Sequence, residues 1–372
     1  MADLTSLKQV TEEILGEEKL SSMLDGGEQL KHYIGFEISG ILHLGSGLMT
    51  GLVIRELQKL GVDTRIFLAD WHTWINNKLG GDHELIKRVA LEYFMPAMKV
   101  SCEIAGADPE KIAPIFGSEL YHNNDRYWQS LVEVSKNLTL SRVMKSTTIL
   151  GRQESENMNF ALLIYPPMQV ADIFEMGNHI AHAGMDQRKC HVIALEVAEK
   201  LKINPLRDGA GNIMKPIAIH HHLVMGLQKP ATAPDESMDK VELTTAMKMS
   251  KSVPGSAVFI HDTPEEIQDK IRKAYAPEKE TKFNPILDWT QHLLFPIIGE
   301  VVIEREERFG GNVTFKSYPE LEAAYASGDL FPLDLKNAVA KHLIDILAPA
   351  RERFSDKDSQ ELIALVKQAT GR

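Results

Sequence analysis

His32-Tyr33-Ile34-Gly35-Phe36-Glu37 is a short apolar run that closes on a turn, the pattern of a strand buried in a parallel sheet. Working outward from it, Gly47 to Leu60 reads as a helix, Gly61 closes that helix, and Thr64 to Ala69 supplies a second buried strand. Strand, helix and strand joined by short connections make one crossover unit of an open α/β sheet. Such sheets bind ligands beyond the carboxyl ends of their strands, where the strand order reverses. Tyr33–Ser46 and Ala69–His72 lie at two such ends, so a ligand is expected there.

The alternation continues along the chain. Asp82 to Gly106 reads as a long helix interrupted at Pro96, Ile112 to Phe116 as a third strand, and Asn123 to Glu175 as mostly helical. Ile180 to Ala183 is a further strand, Asp186 to Leu201 a helix, and Pro216 to Leu223 a last strand. Residues 5–31 read as amphipathic helix broken at Gly26-Gly27. Residues 229–256, with Pro230, Pro234, Gly255 and many Ser, Thr and Lys, read as loop-rich. Thr263-Pro264-Glu265-Glu266 is a helix start with proline in the first turn, and the pattern is helical from there on. The expected fold is α/β: a Rossmann-like parallel-sheet catalytic domain followed by an α-helical C-terminal domain. The boundaries are an N-terminal helical segment at 1–31, the catalytic domain at 32–239, a loop and linker at 240–262, and the helical domain at 263–372.

Composition narrows the class. Of 372 residues 44% are hydrophobic and 25% charged, enough for a large core. A net charge of −11 argues against a nonspecific nucleic-acid coat, while leaving room for a local basic surface that grips one defined RNA. Cys102 and Cys190 are the only cysteines, so no disulfide framework is needed and a cytoplasmic location fits. The N-terminus lacks a basic start before an apolar run, and His292 to Ile303 is too short and interrupted to span a bilayer. No membrane partner is expected.

Two polar clusters carry the chemistry. His43-Leu44-Gly45 opens the helix after the first strand, and Lys248-Met249-Ser250-Lys251-Ser252 lies about two hundred residues further on. Alone, the first is a common turn histidine and the second an exposed basic loop. Together on an α/β chain they describe two halves of a nucleoside triphosphate site. His43 would donate to a phosphate oxygen, Gly40 and Gly45 would let backbone approach the nucleotide, and the helix N-terminus would favour the anion. Lys248 and Lys251 would clamp the phosphates. Tyr165, Gln169 and Asp172 share a helix face by their spacing. Asp172, flanked by Val170 and Ile173, is expected inside and not on a solvated surface. The triplet His220-His221-His222 invites a metal, but neighbours in a strand point to opposite faces, so no structural metal is expected. Arg142, Lys145 and Arg152 are either a phosphate-gripping face or a solvated one.

These residues resemble a known family. Phe36 to Gly45 looks like the first signature of the class I aminoacyl-tRNA synthetases, and Lys248 to Ser252 matches the second letter for letter. Tyr165-Pro166-Pro167-Met168-Gln169-Val170-Ala171-Asp172-Ile173 and Gly184-Met185-Asp186-Gln187-Arg188-Lys189 resemble the tyrosyl-tRNA synthetases of the archaeal and eukaryotic type, as do Phe309-Gly310-Gly311 and Phe331 to Val339. The resemblance covers roughly residues 30 to 354. It implies ATP as a substrate with Mg2+ beside it, no tightly bound cofactor, L-tyrosine and a tyrosine-specific tRNA as partners, and a homodimer. It implies that Tyr33 and Asp172 meet the phenolic hydroxyl of tyrosine, and that Tyr165, Gln169 and Gln187 hold its amino end. A phenol both donates and accepts, and Asp172 and Tyr33 offer one partner for each. Phe309 and Asp334 would meet an anticodon base. Phe331, where archaeal relatives often carry histidine, and Val253-Pro254-Gly255, where relatives commonly carry Lys-Gly-Asn, depart from the pattern. Two other readings are a tryptophanyl-tRNA synthetase, which shares the architecture, and a noncatalytic RNA-binding paralogue.

Overall fold

Glu13–Leu15 (β1), Lys31–Phe36 (β2), Asp63–Leu68 (β3), Ile112–Phe116 (β4), Ile180–Gly184 (β5) and Ile217–His221 (β6) form one sheet in the order β1-β6-β5-β2-β3-β4. The computed structural model describes residues 2–150, 159–229, 240–250 and 255–370. All pairings are parallel except that of β1 with β6. β2 leads through the helix Leu44–Lys59 to β3 on one side and pairs with β5 on the other, so the strand order reverses at β2. The crevice at the carboxyl ends of β2 and β5 is the place where such a sheet accepts a ligand.

β5 and β6 are buried along their whole length, although they carry three histidines. His182 and His221 join His32 of β2 in one line of rings, while His220 turns to Glu13 and His191. His32 Nε2 and His182 Nδ1 are 3.1 Å apart, and His182 Nε2 lies 2.8 Å from His221 Nδ1. Burial holds all three below the ordinary histidine value, His32 to about 3 and His221 to about 4, so the chain of rings is neutral.

Several elements differ from the sequence reading. The segment before β2 is helix, strand and helix (Thr5–Gln9, β1, Glu17–Asp25), not one broken helix. β1 adds antiparallel to the sheet edge because Glu13 finds Arg188 at 2.7 Å and His220 at 2.9 Å there. The helix around Pro96 runs on without a break, as His83–Val89, a π turn at Ala90–Phe94, and Met95–Ile104. Proline lacks an N–H and crowds the carbonyl four residues back, and the wider turn just before it makes room. Lys240–Met247 is a helix inside the stretch read as loop-rich.

After residue 263 helices dominate. Thr263 opens Pro264–Lys273 with a reciprocal capping box to Glu266. The exception is an antiparallel ribbon, Val301–Ile303 (β7) and Val313–Phe315 (β8), which β-branched residues favour once Gly299 has ended the preceding helix at φ +78°. One apolar core runs from Leu4 to Val366 through both parts. Trp289 is fully buried at their junction and its indole donates to Met225 O at 2.7 Å. Losing a buried ring of that size costs about 3–5 kcal/mol. Among the described residues no helix is long and apolar enough to cross a membrane.

Candidate active site

The crevice at the ends of β2 and β5 opens into a cavity of about 320 Å³. Its walls include Tyr33, Tyr165, Gln169, Asp172 and Gln187 at one end, and His43, Gly45 and Lys248 at the other. Residues from five separate segments thus meet in one place.

His43 is the N-cap of Leu44–Lys59 and its Nδ1 accepts the Ser46 N–H at 3.3 Å. That bond leaves Nε2 as the protonated nitrogen, 3.3 Å from Ser46 Oγ, at a helix start where anions are favoured. Gly45 leaves little room beside it: a Cβ there would stand 3.2 Å from His43 Nδ1 and 3.4 Å from Val224 Cβ. Gly40 lies outside the cavity lining. Its φ of +125° and a 3.2 Å approach to Thr370 give it a structural reason to be glycine. The turn is tied to the chain beyond the lysine loop, since Leu44 N–H donates to Val258 O and Ile260 N–H to Leu42 O.

Lys248 is anchored through its backbone neighbours: Met249 N–H donates to Val224 O at 2.7 Å. Its ammonium sits 2.6 Å from Asp186 Oδ2. A 3-10 turn at Met185–Gln187 precedes the helix Arg188–Val197, and the Asp186 carboxylate turns to the lysine. Lys251, Arg152 and Val253-Pro254 lie outside the described residues.

At the other end Asp172 is 1% exposed. Its Oδ1 accepts from the hydroxyls of Tyr121 and Tyr127, each at 3.0 Å. Its Oδ2 is left facing the cavity, 3.5 Å from His72 Nε2. Burial pushes this carboxyl from the ordinary 3.8 up to about 8, against the two tyrosine bonds that pull it down. Tyr33 is buried nearby, edge-on to Phe67, and burial with the Asp172 charge holds its phenolic proton on. Tyr165 bonds to Glu37 and stands edge-on to His72, with ring centres 4.5 Å apart. Gln169 Nε2 is 3.5 Å from Gln187 Oε1, whose own Nε2 donates to Ile149 O. Gln169 Oε1 is buried with no partner among the described residues, an acceptor that an ammonium would satisfy.

The raised pKa has a testable sign. The folded protein keeps a proton on Asp172 that the unfolded chain releases above pH 4, so ionisation costs stability progressively from about pH 4 to about pH 8. Urea unfolding of Asp172→Asn should therefore show a flatter loss of stability over that range than the parent. Identical slopes would mean that Asp172 is already ionised in the folded state.

Other candidate residues stand apart from the cavity. Arg142, in the helix Leu140–Ser146, pairs with Glu196 at 2.8 Å, and Lys145 is exposed in the same helix. Leu140 and Met144 are exposed beside them. Phe309 ends the 3-10 turn Glu307–Phe309, and Asp334 stands in the first turn of Pro332–Ile346, next to exposed Phe331 and Leu333. Tyr121, Tyr127 and Glu37 escaped the sequence reading as site residues. Nothing in their spacing links them to Asp172 or Tyr165, because the contacts span 51, 45 and many more positions.

Comparison with known proteins gives the chain a family. The model of "tRNA synthetases class I (W and Y)" matches residues 25–348. A tyrosine–tRNA ligase of Thermococcus kodakarensis is 56% identical over 351 residues, 93% of this chain and 92% of that one. The chain belongs to the tyrosine–tRNA ligase family. The Pyrococcus abyssi member is 54% identical over 366 residues, covering 97% of this chain and 96% of its own. The crystal structure of the Pyrococcus horikoshii tyrosyl-tRNA synthetase complexed with L-tyrosine superposes with a TM-score of 0.92 at 51% identity, covering 99% of this chain and 100% of that one. A tryptophanyl-tRNA synthetase of Aeropyrum pernix, at 17% identity and a TM-score of 0.70, shares the fold. Membership agrees with the class I signatures at Phe36–Gly45 and Lys248–Ser252 and with the archaeal-type stretches Tyr165–Ile173 and Gly184–Lys189.

Proposed function

We infer that the protein is an ATP-dependent tyrosine–tRNA ligase. It activates L-tyrosine to tyrosyl-adenylate and then transfers the tyrosyl group to the 3′ end of its tRNA. In the first step the tyrosine carboxylate attacks the α-phosphorus of ATP and pyrophosphate leaves. In the second a ribose hydroxyl of the terminal adenosine attacks the activated carbonyl and AMP leaves. No side-chain nucleophile is needed, so positioning and charge stabilisation supply the rate.

The observation that carries this reading is Asp172. Its Oδ1 is fixed by two tyrosine hydroxyls and its Oδ2 faces the cavity beside Tyr33. A buried acceptor and a hydroxyl suit a phenol, whereas an indole offers only a donor. Tyrosine is therefore favoured over tryptophan. Tyr165, Gln169 and Gln187 would hold the amino end, with Gln169 Oε1 taking an ammonium proton. His43, Lys248 and Lys251 would stabilise the charge that builds on the phosphates, with Gly45 and Gly40 shaping the turn. Mg2+ enters as part of the nucleotide substrate.

The division of labour follows the sheet. Residues 32–239 would carry out activation, the 240–262 segment would close over the nucleotide, and 263–372 would read the anticodon through Phe309 and Asp334. Arg142 and Lys145 are assigned to the phosphates of the tRNA acceptor arm. The exposed apolar side chains Trp128 and Val132, one turn apart on Asp125–Lys136, and Leu140 and Met144 on the next helix favour a homodimer built on this face. A monomeric mass by light scattering would remove that assignment. A cytoplasmic location goes with this role.

The test is charging. The full chain should esterify its tRNA with labelled tyrosine. Asp334→Ala should raise the KM for tRNA by about 10- to 100-fold, the size expected for losing one specific base contact, and leave tyrosine-dependent pyrophosphate exchange unchanged. An unchanged KM would remove Asp334 from the RNA contact.

A further inference from the structure

Three consecutive histidines end β6, and each turns to a different partner. His220 meets Glu13 and His191, and His221 meets His182. His222 lies one residue past the strand and meets one residue of the N-terminal segment and one of the helical part. Its Nδ1 lies 3.0 Å from Glu12 Oε1, and its Nε2 lies 2.7 Å from Asp288 Oδ1. The ring of His292 stacks on it at 3.7 Å between centres and 15° between planes. One donor atom each from Glu12, His222 and His292 falls within 4.8 Å of the other two. All three residues are half-buried.

We propose that Glu12, His222 and His292 form a binding site for a divalent transition metal of the Zn2+ or Co2+ class, with Asp288 as the carboxylate behind His222. Two imidazoles and a carboxylate are the donor set such ions take, usually with a water as the fourth ligand. Tetrahedral binding at about 2.0–2.1 Å brings donors to about 3.4 Å from one another, so the side chains close by about an ångström, and the His292 ring turns out of its stack on His222 so that the ion lies in the plane of both rings. A metal-bound histidine characteristically gives its second nitrogen to a carboxylate, which fixes its tautomer. Asp288 holds that position at 2.7 Å from His222 Nε2, and its own Oδ2 is fixed by the Met225 N–H at 2.9 Å. The local backbone serves the same arrangement. Asp288 lies in Pro285–Trp289, and the π turn Thr290–Leu294 that follows carries His292, four residues later, onto the same side as Asp288.

The position of the site gives it a consequence. Glu12 precedes the edge strand β1, His222 lines the active cavity, and His292 belongs to the helical part of the chain. An ion there would join three segments at the rim of the cleft. It would also stiffen the loop after β6, whose Met225 bridges to Lys248. The proposal does not depend on the identity of the amino acid activated.

Calorimetric titration of the chelator-stripped full chain with ZnCl2 alone tests this. About one equivalent should bind, and CoCl2 in its place should give visible absorption bands of a low-symmetry nitrogen–oxygen site. His292→Ala and Glu12→Gln should each weaken binding at least tenfold, and Asp288→Asn by about 10- to 100-fold. His122→Ala, on a turn elsewhere, should leave the titration as it was. Zn2+ should raise the unfolding midpoint of the parent and not of His292→Ala. Should His292→Ala fail to fold by circular dichroism, Glu12→Gln decides. Absence of binding would reduce the cluster to an imidazolium held between two carboxylates, and undiminished binding in both ligand variants would place the ion on other histidines. Either result overturns the proposal.

Discussion

In the Asp172→Ala enzyme, tyrosine loses its advantage over phenylalanine in adenylate formation by about a hundredfold or more. The physical reason lies in what an apolar ring leaves behind. Phenylalanine in the parent cavity strands Asp172 Oδ2 and the Tyr33 hydroxyl without partners, and an unpaired buried polar group costs about 1–3 kcal/mol, more when charged. Enzymes of this kind are the standing example of such selection, at about 10⁵, a figure that belongs to the example and not to this structure. Removing the carboxylate removes the penalty against phenylalanine and the bond to tyrosine together. The measurement is kcat/KM for both amino acids in pyrophosphate exchange, in parent and variant. An intact ratio would take Asp172 out of recognition. Tyr121→Phe and Tyr127→Phe should fall in between, since each removes one of the two hydroxyls that aim the carboxylate while leaving Oδ2 in place.

Lys248→Ala and Lys251→Ala should each slow adenylate formation by about 10²–10³, with tyrosine binding nearly unchanged. That is the usual scale for removing one group aimed at charge that appears only in the transition state. Lys248 now rests on Asp186 at 2.6 Å, at the wall of the cavity. An ammonium that waits on a carboxylate can be drawn to the phosphates when ATP arrives, because a triphosphate is the stronger anion. Single-turnover kinetics separate this from weaker binding: a loss confined to the chemical step supports the role, and equal losses in rate and tyrosine affinity contradict it.

The sheet was legible where one physical signal dominated. His32–Glu37, Ile112–Phe116 and Ile180–Ala183 are apolar runs bounded by turns, and each became a parallel strand within a residue or so. The helix face of Tyr165, Gln169 and Asp172 followed from spacing alone and brought all three to the cavity. What stayed hidden depended on distant partners. β1 has a sequence that suits a helix, and it is a strand because the exposed edge of β6 and Arg188 wait for it. Pro96 read as a break because the π turn that absorbs it leaves no mark in composition. The grip of Tyr121 and Tyr127 on Asp172 joins two otherwise ordinary aromatic positions to a helix far along the chain. The same holds for His222, whose neighbours in sequence are histidines and whose neighbours in space are Glu12, Asp288 and His292.

Phenol recognition and triphosphate activation in one cavity make a single claim about this chain, and amino-acid-dependent exchange of labelled pyrophosphate into ATP tests it most directly. Offered each of the twenty amino acids in turn, the purified full chain should support rapid exchange with tyrosine and almost none with phenylalanine or tryptophan. Exchange driven by tryptophan, or by no amino acid at all, would contradict the account.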